Sequence, residues 1–178
     1  LESGENKIAY EIGLLTYKPM LAVFNISEEE ISQNWAPDEN LKKTLGSIPY
    51  LTILVGVEEI ASDADENDQK EILEMAGVKE TGLSKLIKKS YETLGLMTFF
   101  TTGEDETRAW TIPAGSKTPR AGRAIHSDFE DKFIKAEVIH WDKLLETGSW
   151  AKARDLGWLR IEGKEYTVKD GDVMEFRI

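Results

Sequence analysis

Two short apolar runs, Met20–Phe24 and Tyr50–Val55, constrain the fold of this 178-residue chain more than any other feature. Neither alternates apolar with polar, as a strand with one wet face would. Runs this short and this apolar fit strands covered on both faces, the habit of parallel sheets. Parallel neighbours need a crossover, and residues 38–46 between the runs read as a helix, so the spacing predicts a βαβ unit. Asn25 closes the first run, Pro49 opens the second and Gly56 ends it. Ser27-Glu28-Glu29-Glu30 has capping-box spacing, which starts a helix there. Upstream, residues 5–15 read as a helix end with Ile8, Ile12 and Leu15 on one stripe, broken at Thr16–Pro19. Downstream, the acidic stretch Ala61–Gln69 reads as a solvated loop leading into a helix. Ile72, Leu73, Met75 and Ala76 give that helix an apolar face, and Gly77 stops it. Gly82–Thr93 is predicted as an amphipathic helix, with Leu83, Leu86, Ile87 and Tyr91 at helical spacing and Lys85, Lys88 and Lys89 elsewhere on it.

The pattern changes at Gly95. Leu96–Thr102 and Thr107–Ile112 read as strands around a turn at Gly103-Glu104-Asp105. Phe133–His140 alternates, Trp141–Glu146 and Trp150–Asp155 read as short helices, and Leu159–Ile161 and Tyr166–Val168 flank a turn at Glu162-Gly163-Lys164. Asp170-Gly171-Asp172 precedes a last strand, Val173–Ile178. Short strands around short helices indicate a compact α+β domain over 96–178, after a first domain over 1–95.

Composition removes several function classes. The chain has no cysteine, so disulfides and thiolate metal sites are excluded, in keeping with a reducing, cytoplasmic setting. No stretch of about 18 apolar residues occurs, so no membrane span is expected. The start, Leu1-Glu2-Ser3-Gly4-Glu5, has no signal pattern and no initiator Met, so a beginning inside a longer protein is expected. The net charge of -11 disfavours nonspecific nucleic-acid binding. It is unevenly spread: residues 1–95 carry 9 Lys/Arg against 18 Asp/Glu, residues 96–178 carry 13 against 15. A basic face is therefore open only to the second part. There Lys117, Arg120, Arg123, Lys132 and Lys135 form a locally positive set, which either contacts a partner or balances the neighbouring acids.

Phosphoryl-transfer parts are absent. A phosphate cradle needs Gly-x4-Gly-Lys-Ser/Thr, because glycine lets backbone N–H groups approach the phosphates. Gly115-Ser116-Lys117-Thr118 only resembles it and reads as a strand-to-helix turn. No Gly-x-Gly or Asp-x-x-Gly occurs, and two histidines, His126 and His140, make no helical metal pair. His126-Ser127-Asp128 holds triad residue types, but a triad must converge in space. The ordinary reading is a turn with Asp128 capping a helix. Glu28–Glu30 and Asp63–Asp68 read as solvated faces; the latter lacks the Gly and terminal Glu of a calcium loop. No metal site is expected.

Leu14-Leu15-Thr16-Tyr17-Lys18-Pro19, the run to Phe24 and then Asn25-Ile26-Ser27-Glu28 resemble the YchF (Obg-like) ATPase family. So do Tyr91–Gly103, Glu106–Ile112, Ile125–Glu130, Phe133–Val138 and Lys169–Phe176, which together span most of 91–178. In that family an Asn-x-x-Glu motif stands where GTPases carry Asn-Lys-x-Asp. The Asp accepts two donors from the guanine edge; its loss is associated with ATP preference. The resemblance implies that Asn25 and Ile26 contact the base edge and face, with no direct contact for Glu28. The family has Cys-Ala near the end of the second strand; here the stretch is Leu54-Val55-Gly56-Val57, with Gly56 in place of the Ala.

The resemblance implies a fold class: an α/β remnant of a P-loop NTPase domain, then an α+β, ubiquitin-like β-grasp (TGS) domain. TGS domains, which recur in threonyl-tRNA synthetases and stringent-response enzymes, are read as RNA- or protein-binding modules. The implied function is part of an ATP-preferring, or GTP-binding, NTPase acting with ribosomes or RNA-protein partners. ATP or GTP with Mg2+ is expected in the longer parent, which supplies the missing N-terminal half of the nucleotide-binding domain. This chain alone is expected neither to bind nucleotide tightly nor to hydrolyse it. Two other classes stay open: a non-catalytic interaction module whose nucleotide-site remnants are scaffolding, and a small hydrolase using His126 and Asp128. Trp110, Trp141, Trp150 and Trp158 are expected to serve packing, since stacking platforms need exposed aromatics beside Arg.

Overall fold

A computed structural model of the chain describes residues 11–103 and 106–178. It divides into two compact units, 1–94 and 95–178.

In the first unit the elements run β1 (Ala22–Asn25), α1 (Glu28–Ser32), α2 (Glu39–Leu45), β2 (Tyr50–Ile53), α3 (Val55–Ser62), α4 (Glu66–Met75) and α5 (Gly82–Thr93). β1 and β2 pair in parallel, from Ala22 opposite Tyr50 to Asn25 opposite Ile53, as the two apolar runs predict. α1 starts with the expected capping box: Glu30 N–H donates to Ser27 Oγ at 3.2 Å, and Ser27 N–H donates to the Glu30 carboxylate at 2.8 Å. Ile26, Leu54, Val57, Ala61, Leu73 and Val78 form the core, with Phe24 and Trp35 against it.

Three expectations change here. The strands are not covered on both faces: Val23 and Tyr50 are each 42% exposed, because the described part of this sheet has only two strands. The second apolar run stops being a strand at Ile53, and the stretch expected to be an acidic loop is largely helical. α3 buries Val57 and Ala61 at helical spacing, and Asp65 starts α4 by accepting from Asn67 and Asp68 N–H, both at 3.0 Å. Of the helix end expected over 5–15, residues 5–10 lie outside the described residues, Glu11 is helical and followed by a turn, and a single 3-10 turn covers Leu15–Tyr17.

The second unit runs β3 (Leu96–Thr102), β4 (Thr107–Pro113), α6 (Thr118–Ile125), α7 (Ser127–Asp131), β5 (Lys135–His140), α8 (Trp141–Thr147), α9 (Trp150–Asp155), β6 (Arg160–Glu162) and β7 (Asp172–Arg177). The strand order is β4-β3-β7-β5-β6. The central pair β3/β7 is parallel and the other pairs are antiparallel. This is the β-grasp arrangement, in which the first and last strands lie side by side at the centre. Met97, Phe99, Ala136, Val138 and Met174 face α6 through Ala121, forming the larger core. Ile139 and Val173 point the other way, toward Ala153 of α9. Of the β3–β4 turn, Glu104 and Asp105 lie outside the described residues; Gly103 N–H donates to Glu106 O at 2.9 Å across it. Tyr166–Val168, expected as a strand, makes only one bridge, Thr167 to Lys117. Its backbone is diverted to the start of α6, where Thr118 Oγ1 donates to Gly163 O and Tyr166 O, each at 3.1 Å.

Candidate functional site

The carboxyl ends of two parallel strands form the first candidate, a common ligand position in α/β sheets. β1 ends at Asn25, directly opposite Ile53 at the end of β2. The chain then enters α3 through Leu54, which supplies no side-chain cap. Asn25, thirty residues earlier, does so instead: its Oδ1 accepts the Val55 N–H at 3.2 Å. That bond satisfies one of the donors a helix start leaves open. It also engages the amide oxygen of the exposed Asn25, which leaves the Nδ2 hydrogens for another acceptor. Gly56 lies in the exposed first turn of α3, where an added Cβ would meet nothing within 4 Å. The three residues thus gather at one corner, but not in equivalent roles. Ile26, expected against a base face, is only 8% exposed and belongs to the core, with its N–H donated to Ile53 O at 2.9 Å. Glu28 is exposed at the start of α1, and Glu30 closes the capping box.

Sequence reading missed Glu58 on α3, whose Oε1 accepts the Gly82 N–H at the start of α5 at 2.7 Å. An acidic residue 24 positions from its partner leaves no local signature.

The basic set of the second unit is split and largely neutralised. Lys117 pairs with Glu165, Arg123 with Glu130 at 2.7 Å, and Lys132 with Asp128 at 2.7 Å. Lys117 holds the Glu165 carboxyl below its ordinary pKa, and Lys132 does the same for Asp128. Arg120 and Lys135 have no ion pair among the described residues. They do not share a face. Arg120 and Arg123 are exposed on α6, which covers the sheet face of Ala136 and Val138. Lys135 alternates with those residues and lies on the face of Ile139.

His126, not Asp128, caps α7: its Nδ1 accepts the Asp128 N–H at 3.2 Å. With that nitrogen engaged and Asp128 tied to Lys132, the two do not form a base–carboxylate relay onto Ser127. Trp110, Trp150 and Trp158 pack against the cores, as expected, while Trp141 is 47% exposed. The Arg108 guanidinium stacks 4.2 Å from the Trp110 ring centroid. Among the described residues no three His, Asp or Glu side chains gather as metal ligands, and no helix is long and apolar enough to cross a membrane.

Comparison with known proteins bears on both units. The model of the YchF-GTPase_C family, described as a protein of unknown function (DUF933), matches residues 96–178. The chain is 40% identical over 178 residues to the "Ribosome-binding ATPase YchF" of Bacillus subtilis (strain 168), covering 97% of this chain and 48% of that protein. It is 36% identical over 177 residues to the protein of the same name from Escherichia coli O157:H7, covering 98% and 48%. The solved structure of the Schizosaccharomyces pombe YchF GTPase aligns with a TM-score of 0.77 at 30% identity, over 96% of this chain and 46% of that one. The chain spans about half the length of the curated relatives it matches. Residues 96–178 belong to the YchF-GTPase_C family, a TGS-like domain, and the chain as a whole matches the C-terminal part of YchF proteins.

Proposed function

We propose that this chain is part of an ATP-preferring P-loop NTPase, also open to GTP, that associates with ribosomes. Residues 1–95 supply the C-terminal portion of its nucleotide-binding domain, and the TGS domain over 96–178 is the binding module. The relatives' name, ribosome-binding ATPase, supports the reading. The observation that carries it is the Asn25 corner. With Oδ1 held by Val55 N–H, the Nδ2 donors suit the N7 acceptor of a purine. Adenine and guanine share N7, so Asn25 alone does not choose between them. The choice falls to groups facing the six-position, an amine donor in adenine and a carbonyl acceptor in guanine. In this reading the backbone around Ile26 and Gly56 supplies them. The corner therefore fits the base of a nucleotide. The phosphates and Mg2+ need a cradle that this sequence does not contain, so the chain turns over no nucleotide by itself.

The test is equilibrium binding of ATP and GTP, with Mg2+, to the longer protein that contains this chain. Asn25→Ala should weaken both by about tenfold, the worth of one lost hydrogen bond of about 1.4 kcal/mol. Unchanged affinity with a lowered melting temperature refutes the base contact. That outcome favours the second reading, a non-catalytic interaction module, for which one observation speaks: the Asn25–Val55 bond serves the fold whether or not a nucleotide binds. Ribosome association is tested by co-sedimentation over a salt series, where Arg120→Ala should reduce the salt dependence.

A further inference from the structure

Gly82, the first residue of α5, is buried against the base corner. A Cβ built there would lie 2.6 Å from Ile53 Cγ2, 2.7 Å from Glu58 Oε1 and 2.9 Å from Ile53 Cβ. Only glycine lets the start of α5 come this close to the end of β2. Ile53 is the register partner of Asn25, and Glu58 lies one turn into α3 from Val55, whose N–H holds Asn25 Oδ1. The Glu58 carboxylate accepts the Gly82 N–H at 2.7 Å.

We propose that Glu58 is a positioning residue for the base corner: by binding the start of α5 it fixes α3, and α3 in turn orients the Asn25 amide. This rests on the reading of that corner as a purine site. α3 is short and its N-cap residue, Leu54, adds no side-chain bond. Its orientation is held by the burial of Val57 and Ala61 and by the Glu58 bond. The bond is charge-assisted and points at a helix N-terminus, where the helix dipole favours an anion. Thr81 already serves Ser84 N–H, at 3.2 Å, so Glu58 takes a donor that the cap of α5 leaves open. Releasing it frees α3 to tilt about its core contacts, and the tilt displaces the Val55 N–H from Asn25.

Amide hydrogen exchange in this chain, read by NMR, tests the structural step. Glu58→Ala should speed exchange at Gly82, and also at Val55, by about tenfold, the effect of losing one charge-assisted bond. Glu58→Gln, which keeps an acceptor oxygen, should restore most of the protection at both. If Glu58→Ala does not fold, Glu58→Asp, one methylene too short to reach Gly82, gives the same comparison. Faster exchange at Gly82 with Val55 unchanged overturns the positioning role and leaves the purine site standing. Nucleotide binding to the longer protein separates the two ideas further. Glu58→Ala should weaken ATP and GTP alike, with recovery in Glu58→Gln. If Asn25→Ala weakens binding but Glu58→Ala does not, the positioning role is refuted alone. If neither substitution matters, the purine site itself is refuted, and the positioning role falls with it.

Discussion

Asp172→Ala should destabilise the second unit heavily. At 1% exposure, the Asp172 carboxylate accepts from Tyr166 OH at 2.7 Å, Lys169 N–H at 2.9 Å and Arg160 Nη2 at 3.2 Å. Truncation strips all three donors at once, but they do not lose equally. The Arg160 side chain is 40% exposed and keeps Glu162 at 3.5 Å, so it rehydrates at little cost. Tyr166 OH and Lys169 N–H are the expensive pair, each worth about 1–2 kcal/mol when left without an acceptor in a part-buried site. The expected loss is therefore about 3 kcal/mol. In urea, with a slope of about 1.5 kcal/mol per molar for a small domain, the midpoint should fall by about 2 M with the slope unchanged. Tryptophan fluorescence is a suitable probe, because four of the five tryptophans lie in this unit. Glu165→Ala removes another carboxylate, the partner of Lys117, but its side chain is 86% exposed. Its midpoint should not move measurably, as exposed ion pairs contribute little. A shift for Asp172→Ala no larger than that of Glu165→Ala refutes the reasoning.

Two further predictions concern the same loop. Gly171 has φ +81°, and a Cβ there would lie 2.7 Å from both His140 Nε2 and Trp141 Cδ1. Gly171→Ala combines left-handed strain of about 1–2 kcal/mol with that clash, and a thermal melt should show a fall of at least ~5 °C; an unchanged melting temperature contradicts it. The Tyr166 hydroxyl is pushed up to about 12, first by burial and then by its bond to Asp172. A raised pKa means that the folded chain holds this proton more tightly than the unfolded one. Its contribution to stability is complete below the unfolded value of about 10 and is lost as the pH rises toward 12. Ultraviolet difference titration should show one late-ionising tyrosine, missing in Tyr166→Phe; ionisation of every tyrosine in one step would contradict it.

Much of the fold was legible because periodicity is a local property. α5 and α9 begin and end where the apolar spacing and caps place them, and β3 spans the run after Gly95. The failures share a cause. Leu54 and Val55 are both apolar, so the change from strand to helix happens inside one hydrophobic run, before Gly56 ends it. α6 announced itself weakly. Pro119 in its first turn is a start signal, but the tight approach of α7, with Phe129 Cβ 3.0 Å from a Cβ at Gly122, is a tertiary fact. At the candidate sites, motif and charge pointed to Asn25 and to five cations. Alternation along β5 puts Lys135 opposite Ala136, yet which face α6 covers depends on packing. What Asn25 touches, thirty residues away, is set by tertiary contacts, the β1–β2 pairing among them.

The same construction recurs in both units. Their strands and helices are short, so many terminal N–H groups lack a partner within their own element. Acceptors come from far along the chain: Asn25 for Val55, Glu58 for Gly82, and Asp170 Oδ1 for Thr98 N–H at 2.8 Å, across 72 positions. The last of these joins a larger clasp. Gly171 N–H donates to Thr98 O at 2.9 Å, and Trp141 N–H donates to Gly171 O at 3.0 Å, so a two-residue loop ties β3 to the start of α8. Gly171 is needed there for its backbone angle and for room, and Asp172 holds the far end of the turn through Lys169 N–H. Because each acceptor serves an element other than its own, its loss is felt at a distance. Removing the Asp170 carboxylate would strip the Thr98 N–H in β3 of its acceptor, although every residue of that strand is unchanged. The remote acceptors thus couple separate elements within each unit; Asn25 and Asp170 stand in motifs that sequence reading named, and Glu58 does not.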